Sequence, residues 1–167
     1  MKVKFLGVLL MFIVVFAMDS CSPVNSEIPN SITSSQAVTM NYSYSSPEKE
    51  AMNLINAYRA SIGLNSLEQN NYISYKSEEH DNYMIINNVV NHYDFVARSQ
   101  NIMNVLGAKT VSENVAYDYN TPKSTLDAWL NSPEHKACIE GDFTHFGISI
   151  RADSAGKKYY TNIFVKI

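Results

Sequence analysis

A chain of 167 residues is long enough for one hydrophobic core and hardly for two. Its formal net charge of -3 excludes the basic face that a nucleic-acid partner demands. Only 17% of the residues are charged while tyrosine occurs 11 times, a polar but weakly charged composition that suits a secreted protein.

The chain begins with the basic MKVK and continues into the apolar run FLGVLLMFIVVFA, Phe5 to Ala17. That run suits the core of an export signal and is too short to span a bilayer alone. MDSCS follows, with Ser20 directly before Cys21, and resembles a bacterial lipobox, although Met18 and Asp19 depart from its usual small or aliphatic residues. Residues 1–20 are therefore read as a lipoprotein-type signal peptide, and Cys21 as the lipidated first residue of the exported chain. The membrane becomes a partner through that lipid. The expected location is the cell envelope, on its periplasmic or cell-surface side, with simple secretion as the alternative. Lipidation of Cys21 leaves Cys138 as an unpaired thiol. A disulfide between the two would require Cys21 to stay unmodified.

Residues 21–46 comprise the cysteine and a stretch dominated by Ser, Thr, Asn and Pro with no persistent period. Such a composition buries too little apolar surface to order itself and reads as a flexible tether. The domain proper is expected over 47–167. In SPEKEAMNLINAYRASIGL, Ser46 reads as the cap, Pro47 as the first helical residue, and Gly63 as the stop. A second helix covers about Asn71 to Asn88, with Ile73, Ser77, His80 and Met84 turned inward. A third covers about Phe95 to Leu106 and ends at Gly107, and a fourth runs from Thr121-Pro122 to about Asn131 over Leu126, Trp129 and Leu130.

VSENVAY is short and rich in β-formers, and FTHFGISIR and KKYYTNIFVKI flank the turn segment ADSAG as a hairpin. Helices enclosing a small antiparallel sheet make an α+β domain. Glu113 falls within the apolar stretch Val111 to Tyr117, where a carboxylate is costly unless paired, hydrogen-bonded or bound to a cation. A glutamate at a strand end facing water is the alternative. In WLNSPEHK, Ser132 reads as an N-cap, Pro133 as the first helical residue, and Glu134 as an acid favoured by the helix dipole. The four histidines, His80, His92, His135 and His145, share no local metal-motif spacing, so any site they build is assembled by tertiary folding.

The runs NLINAYRASIGLNSL, EEHDNYM, NHYDF, SENVAY, AWLNSPEHKACI and FTHFGISI, in that order, resemble the bacterial CAP domain, also called the SCP domain. This is the superfamily of cysteine-rich secretory proteins, antigen 5 and plant pathogenesis-related proteins. The resemblance implies a three-layer α-β-α sandwich with a shallow central cleft lined by two histidines and two acids. It implies a divalent cation, often Zn²⁺, held weakly by His92 and His135, with Glu113 orienting a histidine or a bound water. The second acid does not carry over: its position is Ser132, and Glu134 is either a replacement or, on the stronger reading, only a first-turn acid. His80 reads as a core histidine bonded to backbone, His145 as a surface or rim residue, Arg98 as half of a structural ion pair, and Trp129 as core.

The function expected from these features is that of an exported, membrane-anchored binding domain. Its cleft would take a divalent cation and an unidentified small lipid, glycan or protein ligand. One alternative is a metal-dependent protease or esterase in which Glu113 serves as base. The other is a structural envelope protein whose cleft is vestigial.

Overall fold

The computed structural model describes residues 40–167. The expected signal peptide, Cys21 and most of the expected tether lie outside them. Among the described residues five helices and four strands follow one another: α1 (Ser46–Ser61), β1 (Glu68–Gln69), α2 (Asn71–Asn87), α3 (Phe95–Leu106), β2 (Thr110–Tyr117), α4 (Pro122–Asn131), α5 (Pro133–Glu140), β3 (His145–Ala152) and β4 (Lys158–Lys166). Among the described residues no helix is long and apolar enough to cross a membrane.

The strands form one sheet in the order β1-β3-β4-β2, antiparallel except for the short parallel pairing of β1 with β3. On one face Tyr72 and Ile73 of α2 and Ile102 of α3 pack with Val111, Ile163 and Val165. On the other, Met52 and Ile55 of α1, Leu126 and Trp129 of α4 and Ile139 of α5 pack with Phe146, Ile148, Tyr160 and Phe164. Each fully buried phenylalanine or isoleucine contributes about 2 kcal/mol by leaving water. This is the expected α-β-α sandwich. Because both faces are covered, β4 is buried along nearly its whole length rather than alternating. Gly147 in β3 has a specific duty: a Cβ there would run into the backbone of Ile73 and Ser74, so its absence lets α2 lie against the sheet.

Two details differ from the sequence reading. Ser45, not Ser46, caps α1, and it does so in a reciprocal capping box with Glu48. Glu48 is also fully buried, where it serves more than the helix dipole. It accepts hydrogen bonds from Ser45 N (2.7 Å), Ser45 Oγ (2.8 Å), the Tyr42 hydroxyl (2.9 Å), Ile150 N (3.1 Å) and Arg151 Nη1 (2.7 Å). Burial opposes its charge, but the backbone and hydroxyl donors outweigh that and hold its carboxyl below the usual range. Second, contacts begin before Pro47. Tyr42 joins the Glu48 cluster, Tyr44 shares a 2.9 Å hydroxyl bond with Ser74, and Asn71 Nδ2 donates to Met40 O. The tyrosines bring both apolar rings and hydrogen-bonding hydroxyls, which a composition average does not register.

Asp81 is the opposite kind of buried acid. It is fully enclosed on α2 and accepts a 2.6 Å bond from Thr161 Oγ1, while its other oxygen has no protein hydrogen-bond partner. Burial pushes its carboxyl well above the usual range, against the smaller pull of neighbouring hydroxyls.

Candidate functional site

Strand β2 sets Glu113 opposite Ile163 and on the same face as Val111 and Val115, beneath α2 and α3. Its side chain is only 1% exposed. Arg98, near the start of α3, meets it in a fork: Nε donates to Oε2 at 2.8 Å and Nη2 to Oε1 at 2.9 Å. Arg98 is thus half of a structural ion pair, and its partner is the acid expected to line the cleft.

His92 lies in the α2–α3 connection, which turns through left-handed residues at Asn88 and Asp94. Phe95 N donates to His92 O at 3.1 Å, and Tyr93 N to Asn91 Oδ1 at 3.0 Å, fixing the turn around the histidine. His92 Nδ1 donates to Glu113 Oε1 at 2.9 Å while half of its side chain faces solvent. That bond selects the tautomer and leaves Nε2 with a free lone pair. His80, from inside α2, approaches the same oxygen to 3.8 Å, but its Nε2–H donates to Asn91 O at 2.8 Å. It is a core histidine bonded to backbone. Burial lowers its pKa, with Glu113 opposing and the charges of Arg98 and His92 assisting.

His135 comes from the opposite side of the sheet end. Ser132 occupies the N-cap position of α5, as expected, but its side chain makes no capping bond. Its Oγ instead lies 2.9 Å from His135 Nδ1, so the hydroxyl holds the imidazole rather than the backbone. Helix α5 is fixed at both ends. At its start Asn114 Nδ2 donates to His135 O at 2.9 Å. At its finish the buried Arg59 donates Nη1 to Ile139 O at 2.6 Å and to Gly141 O at 3.0 Å. Trp129 Nε1, donating to Val115 O at 3.1 Å, fastens α4 to the same strand. His135 opens on a 330 Å³ recess that it shares with Val115, Tyr117, Tyr119, Trp129 and Ser132. Burial and the charge of His92 depress its pKa, against a smaller pull from Glu134.

The fold therefore brings Glu113 and His92 into contact and sets His135 within electrostatic reach of His92. Glu134 is exposed in the first turn of α5. His145 stands at the other side of the sheet, where Nδ1 bonds Thr144 Oγ1 at 2.8 Å and Nε2 lies 3.5 Å from Glu68. Cys138 is a free, half-buried thiol whose pKa is raised by burial. Among the described residues, no three His, Cys, Asp or Glu side chains gather closely enough to cage a metal ion. The sequence reading overlooked Asn114, although an asparagine inside an apolar strand is a recognisable signal for a backbone clamp.

A family model described as "CAP: Cysteine-rich secretory protein family" matches residues 52–165. Two Bacillus subtilis proteins are similar in sequence. The uncharacterized membrane protein YlbC is 31% identical over 123 residues, covering 71% of this chain and 34% of that protein. The uncharacterized protein YkwD is 31% identical over 133 residues, covering 77% and 50%. The chain thus spans half or less of these relatives' length. Among solved structures, an outer surface protein of Borrelia burgdorferi superposes with a TM-score of 0.63 at 20% identity, covering 76% of this chain and 98% of that one. An extracellular protein containing an SCP domain from Bacillus anthracis gives 0.63 at 21% identity, covering 72% and 40%. At those identities the likeness is one of fold.

Proposed function

Since the chain belongs to the cysteine-rich secretory protein (CAP) family, we propose that it is an exported, membrane-tethered binding domain. Its cleft takes a divalent cation through His92 and His135 and presents it to an unidentified small ligand or partner. The observation that carries this reading is the Arg98–Glu113–His92 chain of hydrogen bonds. Glu113 holds the imidazole in the tautomer whose Nε2 can accept a metal, as carboxylates behind metal-binding histidines do. The Ser132 hydroxyl, 2.9 Å from His135 Nδ1, can accept an Nδ1–H, and in that tautomer His135 offers its Nε2 in the same way. Two imidazoles suit Zn²⁺, and two protein ligands leave positions open, so the site is weak and exchangeable rather than structural. Export is supported by the leader and the lipobox-like MDSCS, and by the outer-surface and extracellular descriptions of the solved relatives.

The arrangement does not favour a hydrolase. Both Glu113 oxygens are occupied by Arg98, one of them also by His92, so this carboxylate is built to position rather than to abstract a proton. Zn²⁺ titration by calorimetry tests the reading. His92→Ala and His135→Ala each abolish the binding seen in the native chain, and Glu113→Gln weakens it about 10–100-fold. Equal binding by the native chain and both histidine variants overturns it. The tether has its own test: Cys21→Ala moves the protein from the membrane to the soluble fraction with loss of the lipid mass. An unchanged distribution contradicts the anchor.

A further inference from the structure

A second recess, 420 Å³ in volume, lies between α2 and the start of α3, with Arg98 in its wall. Much of that wall is a stack of aromatic rings. His80 and Tyr83 lie nearly parallel with centroids 5.9 Å apart, and Tyr83 and Tyr93 follow at 4.8 Å and 14°. The inner end of the stack is buried. At the outer end Tyr93 is 61% exposed, although one face is covered by Tyr83. A large aromatic ring held flat by a neighbour and left open to water is a platform without an occupant in the fold.

The rest of the lining is polar and balanced in sign. Lys76, Glu79, Asp94, Arg98 and Asn101 supply it. Lys76 donates to Glu79 at 2.7 Å, and Arg98 spends its fork on Glu113. Asp94 occupies the N-cap position of α3 but makes no capping bond with its side chain. Asn101 uses its Oδ1 to accept the Tyr72 hydroxyl, which leaves its amide N–H groups as donors.

These features discriminate among ligand chemistries. An aliphatic chain would strip water from four charged groups without replacing their hydrogen bonds. A strong anion would meet Glu79 and Asp94, and a strong cation would meet Lys76 and Arg98. A neutral ring with one apolar face and a rim of hydroxyl or amide groups fits both walls. Its C–H face stacks on Tyr93, and its rim exchanges hydrogen bonds with Asp94 and Asn101. A volume of 420 Å³ falls in the range of small-ligand sites.

We propose that this recess is a saccharide-binding site in which Tyr93 is the stacking platform and Asp94 and Asn101 are the polar contacts. It rests on the reading of the domain as a binding module and names a ligand class for it, but it needs no cation. Amide NMR of the protein in EDTA, titrated with cellotriose and with tri-N-acetylchitotriose, tests it. A parallel sedimentation assay with insoluble cell-wall polysaccharide separates polymeric glycan from free oligosaccharide as the source.

Expected are shifts confined to the Tyr83, Tyr93, Asp94 and Asn101 surroundings, or retention on the polymer. In either arm Tyr93→Ala weakens binding about ten-fold or more. Tyr93→Ala should leave the Zn²⁺ titration as it was, so failure of the saccharide site and failure of the cation cleft are read separately. Absence of binding in both arms overturns the proposal, as does binding that Tyr93→Ala leaves intact or that shifts residues elsewhere.

Discussion

Two glutamates of this domain are buried beside an arginine and do different work. Glu48 meets Arg151, a tyrosine hydroxyl, a serine and a backbone N–H, so every lone pair goes into fastening α1 and the preceding segment to β3. Glu113 meets Arg98 just as closely, but its further partner is His92, half of which faces solvent and whose second nitrogen is free. The first cluster is closed and stabilises. The second is open at one end, and what it stabilises is the orientation of a side chain at the surface. An ion pair in a low-dielectric interior is not by itself a stability device or a site device, and its last partner decides which.

The contrast predicts different losses. Glu48→Ala removes the acceptor for five donors and is expected to cost about 3–5 kcal/mol in urea unfolding, with no effect on Zn²⁺ binding. Glu113→Gln keeps the volume and costs less, about 2–3 kcal/mol. Its larger consequence is that His92 loses its tautomer preference, read from ring-nitrogen NMR. If the two variants lost the same stability and His92 were unmoved, the distinction would fail.

Asp81, a third buried acid, sharpens the comparison because it has no arginine at hydrogen-bond distance. Its folded pKa is raised, so the stability it contributes is complete below the ordinary carboxylate range and is lost as pH rises through the folded value. Glu48 runs the other way: its folded pKa is lowered, and its contribution is present above that range and lost as pH falls. Asp81→Asn should therefore gain on the native chain by about 1 kcal/mol or more between pH 4 and pH 7, measured as the urea midpoint at each. The smallest effect is expected from Ser132→Ala, under about 1 kcal/mol, because its hydroxyl does not cap α5. It should nonetheless weaken Zn²⁺ binding by releasing His135.

Much of the fold was legible in the sequence because its signals are local. Asp94-Phe95 and Leu106-Gly107 bracket an amphipathic period, and α3 spans Phe95–Leu106 as read. The start of α1 shifted by a residue because Ser45 and Ser46 are chemically identical and only geometry chooses between them. Strand β1, Glu68–Gln69, is too short to carry a period. For the candidate site, motif resemblance pointed to His92 and His135, the apolar run around Glu113 marked a carboxylate in need of a partner, and the inward face of α2 placed His80 correctly. Three features were not legible. The Arg98–Glu113 fork joins residues 15 apart on different elements. The diversion of the Ser132 hydroxyl to His135 depends on where the helix puts the ring. The His80–Tyr83–Tyr93 stack forms only when the α2–α3 connection folds back.

The central claim is that the open end of the Glu113 cluster presents a metal-binding nitrogen. Nitrogen-15 NMR of the histidine rings during Zn²⁺ addition tests it most directly. Free His92 is expected to carry its proton on Nδ1, the Nε2 resonances of His92 and His135 to move together as zinc is added, and His80 and His145 to stay still. A His92 protonated on Nε2 in the free protein, or a zinc response that spares His92 and His135, would contradict it.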